Sequence, residues 1–189
     1  YESGKLCRYG KIPGLEKTVS RMVFGTAIGP MIEGKNADEL LDAAFAKGIN
    51  TFDTARGYGR AEESLGGWMK RRDNREQVVV ISKCGNCDSD GSVCVNRKVI
   101  ETELAESLQA LQTDYIDIYL LHRDDPKTPV SEMIDALNEL QKEGKIKVFG
   151  VSNWAHERIE EANRYAKEHQ LQGFSVSSPH FGLAEQIAD

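Results

Sequence analysis

The sequence predicts an α/β protein of the parallel (β/α)8 TIM-barrel class, represented by about its first five to six strand–helix units. Two observations indicate this class. Apolar, β-rich segments alternate strictly with segments of helical periodicity, which is the pattern of parallel βαβ units. Polar and titratable residues follow several of these apolar segments, as at the carboxyl ends of barrel strands. With 189 residues, 40% of them hydrophobic, the chain is long enough for one sizeable core.

The chain divides into a short opening segment and one barrel domain. Residues 1–21 are polar, with Gly and Pro in YGKIPGLEKTVSR, and are predicted to form a hairpin or a lid. Residues 22–189 are predicted to form the partial barrel as a single domain. No low-complexity segment or linker interrupts it.

Six segments are predicted to be strands. They are nearly continuous apolar runs, which is expected for parallel strands that are covered on both faces. In chain order they are MVFGTAIG (22–29), INTFDTA (49–55), QVVVISKCG (77–85), YIDIYLLH (115–122), KIKVFGVSN (145–153) and GFSVSSP (173–179).

Five segments are predicted to be helices. In the first, Asn36 is placed as the N-cap and Gly48 at the C-terminal end. The third shows apolar residues at three- and four-residue steps, Leu104, Leu108 and Leu111. The five are NADELLDAAFAKG (36–48), AEESLGGWMKRR (61–72), NRKVIETELAESLQALQ (96–112), PVSEMIDALNELQKEG (129–144) and HERIEEANRYAKEH (156–169).

An open, doubly wound sheet is the competing architecture. It would carry a G-x-G-x-x-G turn after a strand, and Gly25 and Gly29 do not fit that spacing. A full barrel has roughly 250 residues, so about three strand–helix units are absent. Six strands alone would leave two open edges. We therefore expect either further chain after Asp189 or an oligomer that covers an edge.

Four side chains near the ends of successive predicted strands suggest a proton-transfer site. Asp53 and Tyr58 follow the second strand, Lys83 ends the third and His122 ends the fourth. Tyr58 is the candidate general acid, because an ammonium such as Lys83 would stabilise the phenolate. Asp53 would hold Lys83 in place. A neutral His122 would donate a hydrogen bond to a carbonyl oxygen.

Each of these side chains also has an ordinary structural interpretation. Asp53 could cap a turn, Tyr58 could be an aromatic lid, Lys83 could be a solvated charge and His122 could be a structural imidazole. For any one of them alone, the structural interpretation is the stronger. Their joint placement at the ends of consecutive strands favours the site.

The cysteines and the charge exclude some classes of function. Cys84, Cys87 and Cys94 are closely spaced, but Cys7 is expected at the other end of the barrel and no histidine is near, so no metal site is predicted. Under oxidation, a disulfide within this group is expected to lower activity reversibly by displacing the loop that follows Lys83. Reduced thiols are the default for a cytoplasmic protein. The net charge of −6 argues against a nucleic-acid partner, and neither a transmembrane nor a secretory segment is predicted.

Several segments resemble the signature motifs of the aldo-keto reductases. FDTARGYGRAEESLG (52–66) and LQTDYIDIYLLHRDD (111–125) are similar to the two long signatures of that family. VISKCG (80–85) resembles its lysine strand, and GKIKVFGVSNW (144–154) resembles its Ser-Asn segment. The likeness runs from about Tyr9 to Leu183, in the family's order.

This resemblance implies reduction of an aldehyde or ketone by NADPH on a (β/α)8 barrel. The family's catalytic Asp, Tyr, Lys and His fall on four residues, Asp53, Tyr58, Lys83 and His122. Its cofactor-binding positions fall on Gly25, Thr26, Asp53, Ser152, Asn153 and Ser178. The expected partners are the cofactor and a small carbonyl substrate.

The resemblance also shows one departure and leaves two alternatives open. Ser178 stands where the family usually has a Gln that contacts the nicotinamide carboxamide, and Phe181 stands at a family Tyr. The shorter Ser178 would make this contact through water or lose it. The alternatives are a non-enzymatic regulatory subunit, like the potassium-channel β subunits, and a truncated interaction module. The substrate and the choice between NADP and NAD cannot be inferred from these residues.

Overall fold

A computed structural model describes residues 7–86 and 95–179 of the chain. Eight strands form two sheets, one of two strands and one of six. The strands are β1 (Tyr9–Gly10), β2 (Val19–Ser20), β3 (Val23–Gly25), β4 (Thr51–Asp53), β5 (Val79–Cys84), β6 (Ile116–Leu121), β7 (Ile146–Ser152) and β8 (Val176–Ser178). The helices are α1 (Gly29–Ile32), α2 (Asp38–Ala46), α3 (Ala61–Arg72), α4 (Arg97–Leu111), α5 (Val130–Lys142) and α6 (His156–Glu168).

The large sheet confirms the predicted fold class. Its six strands lie in chain order from β3 to β8, and every neighbouring pair is parallel. The strands curl into a half-barrel with helices between them, as in part of a (β/α)8 barrel. In this order all strands end at the same edge, so the residues that follow them gather at one end of the barrel.

Two apolar layers hold the half-barrel together. The layer between strands and helices contains the largest buried side chains, among them Trp68, Tyr119, Phe52 and Phe149. The inner layer faces the barrel interior and is formed by Val79, Ile118, Leu120 and Val148, with Ile12, Leu15 and Val19 packed against them. Because successive strand residues point to opposite faces, β5, β6 and β7 supply both layers.

Residues 9–20 of the opening segment form a β-hairpin at the amino ends of the strands. Its strands β1 and β2 pair antiparallel. The Tyr9 hydroxyl donates to the carbonyl of Gly48 at 2.7 Å, and Lys17 Nζ donates to the carbonyl of Val78 at 2.8 Å. Both carbonyls lie just before a barrel strand. The hairpin therefore covers the barrel end opposite to the strand-end residues, and it does not act as a lid over them.

The start of the barrel differs from the prediction at two points. The predicted strand 22–29 is shorter, since β3 ends at Gly25 and residues 26–28 belong to neither strand nor helix. Its last residue, Gly29, begins α1, with Pro30 in the first turn, where the fixed φ of proline suits a helix. Asn36 is not the N-cap of α2. Its Oδ1 accepts a hydrogen bond from the backbone N of Asp38 at 2.8 Å, an Asx turn one residue ahead of the helix.

The C-terminal end of α2 follows the expected geometry. Gly48 has a φ of +90° and comes directly after the last helical turn, a conformation that glycine adopts without steric cost. Among the described residues, no helix is long and apolar enough to cross a membrane.

Candidate active site

The carboxyl ends of β4, β5 and β6 bring four titratable side chains together. Lys83 Nζ lies 2.6 Å from Asp53 Oδ1 and 3.4 Å from the Tyr58 hydroxyl. It also donates to the carbonyl of Thr54 at 3.0 Å. The Tyr58 and His122 rings meet edge to face, with centroids 5.7 Å apart. One ammonium thus touches a carboxylate and a phenol beside an imidazole.

Tyr58 is held in place by its own loop. Its backbone N donates to the carbonyl of Ala55 at 3.0 Å, and its carbonyl accepts from Ala61 N at 3.1 Å, the first residue of α3. Gly59 has a φ of +59°, and a Cβ there would come within 2.7 Å of the Ile32 carbonyl oxygen. The loop therefore needs glycine at this position and presents Tyr58 in one orientation.

His122 is neutral at physiological pH. Burial, followed by the nearby charges of Lys83 and Arg123, lowers its pKa to about 4. His122 is only 7% exposed, and its Nδ1 atom is buried without a hydrogen-bond partner among the described residues. A neutral imidazole has one N–H donor and one acceptor, so His122 can bind a carbonyl oxygen.

The predicted cofactor-binding residues lie at the same end of the barrel, in two groups. Thr26 donates its backbone N to the carbonyl of Asp53 at 2.9 Å, and its fully buried Oγ1 has no partner in the described part of the chain. Gly25 precedes Thr26 and pairs with Asp53 across β3 and β4. At this position a Cβ would meet nothing within 4 Å.

The second group lies at the ends of β7 and β8. Ser152 is buried, and its Oγ accepts a hydrogen bond from Asn153 Nδ2 at 3.3 Å. Asn153 has a φ of +55°, and its backbone N donates to the carbonyl of Ser178 at 3.2 Å. An amide and two hydroxyls together offer donors and acceptors that suit a carboxamide. These three residues have the chemistry to hold the nicotinamide end of a dinucleotide. Phe181, the other departure from the family pattern, lies outside the described residues.

A buried carboxyl group beneath the site was not predicted from the sequence. Glu62 is 1% exposed, and its Oε1 accepts a hydrogen bond from Ser82 Oγ at 2.6 Å. Burial raises the pKa of this carboxyl. The sequence feature that could have pointed to Glu62 is its place within the FDTARGYGRAEESLG motif, between the tyrosine loop and the lysine strand.

A second network, also missed, ties down the loop that follows His122. The Arg158 guanidinium from α6 contacts the Asp124 carboxylate at 3.2 Å and donates to the carbonyl of Thr128 at 2.5 Å. Asp125 Oδ2 accepts from Val95 N at 3.3 Å. The loops after β5 and β6 and the helix α6 are therefore joined into one framework.

The cysteine cluster is only partly described. Cys84 is buried, and burial raises the pKa of its thiol to about 12, so it is a poor nucleophile. Cys87 and Cys94 lie outside the described residues. The predicted disulfide, which involves these cysteines, therefore also lies outside the described part of the chain. Within residues 7–86 and 95–179, no group of three or more His, Cys, Asp or Glu side chains could hold a metal ion.

Known proteins are similar to this chain over most of its length. The sequence model of the aldo/keto reductase family matches residues 21–188. Norsolorinic acid reductase B of Dothistroma septosporum is 35% identical, with 75% of this chain and 39% of the relative aligned. The aldo-keto reductase YhdN of Bacillus subtilis is 36% identical, with 81% of this chain and 49% of the relative aligned. A probable voltage-gated potassium channel subunit beta of rice (Oryza sativa subsp. japonica) is 35% identical, with 87% of this chain and 52% of the relative aligned.

The matched relatives are longer than this chain, which spans about half of their length or less. The match nevertheless covers the whole six-stranded sheet and all four titratable residues at its carboxyl end. The chain belongs to the aldo/keto reductase family.

Proposed function

We propose that the protein is an oxidoreductase that reduces an aldehyde or ketone to an alcohol with NADPH. The observation that carries this proposal is the contact of one buried ammonium, Lys83, with both the Asp53 carboxylate and the Tyr58 hydroxyl. That arrangement prepares a phenol to give up a proton. Family membership supports the reaction class.

Each side chain then has a defined part in the reaction. The bound nicotinamide supplies the hydride that reduces the carbonyl carbon. Tyr58 donates its proton to the carbonyl oxygen, and the Lys83 ammonium stabilises the phenolate that remains. Asp53 and the carbonyl of Thr54 hold the ammonium in place at 2.6 and 3.0 Å. Neutral His122 donates a hydrogen bond that orients the carbonyl group.

The nicotinamide end of the cofactor would lie against the strand ends of β3, β7 and β8. Ser152 and Asn153 would bond its carboxamide. Ser178 would reach it through water, because its side chain is shorter than a glutamine. Gly25 and Thr26 would line the end of β3, where the absence of a side chain at Gly25 leaves open space. The choice of NADPH rather than NADH rests on the resemblance to the family.

Turnover by a Tyr58→Phe variant tests the proposal. The natural protein should oxidise NADPH in the presence of a reactive aromatic aldehyde. Tyr58→Phe should lose about 10²- to 10⁴-fold in kcat, because the general acid is removed, while NADPH still quenches protein fluorescence. Tyr165→Phe is the matched control, since that hydroxyl contacts Asp135 on the outer helices. Parental turnover in Tyr58→Phe would show that Tyr58 is not the acid.

A regulatory subunit on the same fold is the second candidate. It is favoured by the 35% identity to a protein named as a probable potassium channel subunit beta. Such a subunit would bind the cofactor and show no carbonyl-dependent oxidation of NADPH beyond a single turnover. The assay above therefore separates the two candidates.

The proposal includes the surroundings of the protein. We propose a small carbonyl compound as its partner and the cytoplasm as its location, where its thiols stay reduced. The net charge of −6 disfavours a nucleic-acid partner. An oligomer is part of the proposal, and size-exclusion chromatography of the natural protein tests it.

A further inference from the structure

We propose that Glu62 is a positioning residue that fixes the distance between Tyr58 and Lys83. This inference rests on the proposed function, and it concerns a carboxyl group that does not reach the reacting atoms. Glu62 is 1% exposed and lies between α3, α4 and β5. Its Oε1 accepts a hydrogen bond from Ser82 Oγ at 2.6 Å, which is short and fully buried.

This hydrogen bond joins the two segments that carry the proposed acid and its ammonium. Glu62 lies in the first turn of α3, and that turn is bonded to the tyrosine loop through Ala61 N and the Tyr58 carbonyl at 3.1 Å. Ser82 directly precedes Lys83 on β5. Side chains alternate along a strand, so Lys83 points into the barrel while Ser82 points outward to α3. One contact thus couples the helix behind Tyr58 to the strand behind Lys83.

Burial raises the pKa of the Glu62 carboxyl, which has hydroxyls and one guanidinium around it. Ser82 and Ser107 offer hydroxyls from β5 and α4. Arg56 Nη1 is 3.9 Å from Glu62 Oε2, and the same guanidinium bonds Glu106 at 2.7 Å. The charge of Glu103 also raises the pKa of Glu62. In either protonation state Oε1 can accept the hydrogen bond from Ser82 Oγ, so this link does not depend on the charge of Glu62.

The proposed reaction should be sensitive to the distance between Lys83 Nζ and the Tyr58 hydroxyl. Lys83 Nζ and the Tyr58 hydroxyl are 3.4 Å apart, close to the limit for a hydrogen bond. The stabilisation of a phenolate by an ammonium decreases as their separation grows. A displacement of about 1 Å in a catalytic pair can cost on the order of 10²-fold in rate. The backbone N of Arg56 ties the tyrosine loop to the Lys83 carbonyl at 3.0 Å, and the Glu62–Ser82 bond adds a side-chain link between α3 and β5.

The experiment compares four single variants of the natural protein. Glu62→Ala and Ser82→Ala remove the link from either side, and Glu62→Gln keeps an acceptor and a donor of the same shape. Ser64→Ala is the matched control, because Ser64 is a buried hydroxyl on the same helix whose hydrogen bond goes to the Lys35 carbonyl at 2.7 Å. The measurements are kcat and KM for carbonyl reduction as a function of pH, and NADPH binding by fluorescence.

Glu62→Ala should lower kcat about tenfold or more and move the basic limb of its pH profile upward. KM and NADPH binding should stay near parental values. Ser82→Ala should act in the same direction, and the double variant should fall short of the sum of the single effects. Glu62→Gln should restore most of kcat and the parental pH profile. Ser64→Ala should keep that profile even where it unfolds more easily.

The outcomes separate this inference from the proposed function. If the parent reduces carbonyls and the Ala variants keep its pH profile, the positioning role is wrong and the function stands. If Glu62→Gln loses as much as Glu62→Ala, the role given to the hydrogen bond from Ser82 is wrong. A parent with no carbonyl reduction overturns both. Should Glu62→Ala fail to fold, Ser82→Ala and Glu62→Gln decide the matter, since both leave the volume of the site nearly unchanged.

Discussion

At the scale of single residues, burial and two neighbouring cations decide the charge of His122. The imidazole is buried beside Lys83 and Arg123, and its pKa is lowered to about 4. In the unfolded chain a histidine takes up a proton near pH 6.5. The folded and unfolded states therefore bind different numbers of protons over this interval.

We expect the stability of the protein to fall between pH 6.5 and pH 4 because of His122. The group prefers to be neutral in the folded state, so its full contribution is present above pH 6.5. That contribution is lost as the pH falls toward about 4, where the folded state also takes up the proton. At pH 5 the loss attributable to this residue should be about 2 kcal/mol. Urea unfolding at pH 5 and pH 7.5 measures it.

His122→Gln should remove most of this pH dependence while it lowers stability at neutral pH. His156→Gln is the control, because His156 is an exposed residue of α6 paired with Glu160. Equal slopes in His122→Gln and the parent would show that other groups cause the acid sensitivity.

The residues of the site could be predicted from the sequence to different degrees. Asp53, Lys83 and His122 end or follow apolar runs, so the sequence places them at one end of a parallel barrel. Glu62 could not be found in this way. An acid in the first turn of a helix is typical of an exposed residue that favours the helix dipole, and only the packing of α4 and β5 against α3 buries it.

At the scale of elements, α3 shows how packing overrides helix propensity. The helix spans Ala61–Arg72, the bounds that the sequence predicts, although it contains Gly66 and Gly67 in succession. Glycine in a helix interior costs about 1 kcal/mol relative to alanine. Gly66 is needed because α4 approaches closely. A Cβ at this position would lie 2.5 Å from the Leu111 carbonyl carbon and oxygen.

The two adjacent glycines make a matched pair for a test. Gly66→Ala should destabilise the protein by about 1–3 kcal/mol, because backbone atoms of α4 would have to move away. Gly67→Ala should be neutral or stabilising by up to about 1 kcal/mol, since its Cβ would meet only the end of the flexible Arg71 side chain, at 2.9 Å. Thermal melting of both variants compares them. A loss in Gly67→Ala as large as that in Gly66→Ala would contradict this account.

The elements that the sequence did not predict are short ones. The four-residue α1 gave no period long enough to detect, and it replaces the end of the predicted strand 22–29. The long helices α4, α5 and α6 and all six barrel strands were predicted with ends that differ by a few residues, because their apolar patterns span several turns or a whole strand.

At the scale of the whole molecule, the carboxyl end of the barrel carries the candidate site and the amino end is closed by the hairpin. The carboxyl end gathers the titratable side chains, while the N-terminal hairpin covers the amino end and packs Ile12, Leu15 and Val19 on the inner core. Charges also hold the hairpin in place. Asp117 is 1% exposed on β6, and it lies 3.0 Å from Lys17 of the hairpin and 2.9 Å from Arg75.

Asp117 should therefore matter more for stability than either of its cationic partners. Its carboxylate also accepts a hydrogen bond from Val80 N at 3.0 Å. Asp117→Ala would leave two partly buried cations and a backbone N–H of β5 without this acceptor, and should cost about 3–5 kcal/mol. Lys17→Met keeps the apolar stem and leaves Asp117 paired with Arg75, so it should cost about 1 kcal/mol.

Hydrogen exchange distinguishes local from global loosening in these two variants. Lys17→Met should raise amide exchange in the hairpin, residues 9–20, more than in β5 and β6, because it breaks only the tie between hairpin and barrel. Asp117→Ala should raise exchange in β5 and β6 as well, since Val80 N loses its acceptor there. Urea unfolding of the same samples gives the two free energies. Equal losses, or a hairpin that exchanges no faster in Lys17→Met, would mean that the apolar contacts of Ile12, Leu15 and Val19 hold the hairpin without help from the charges.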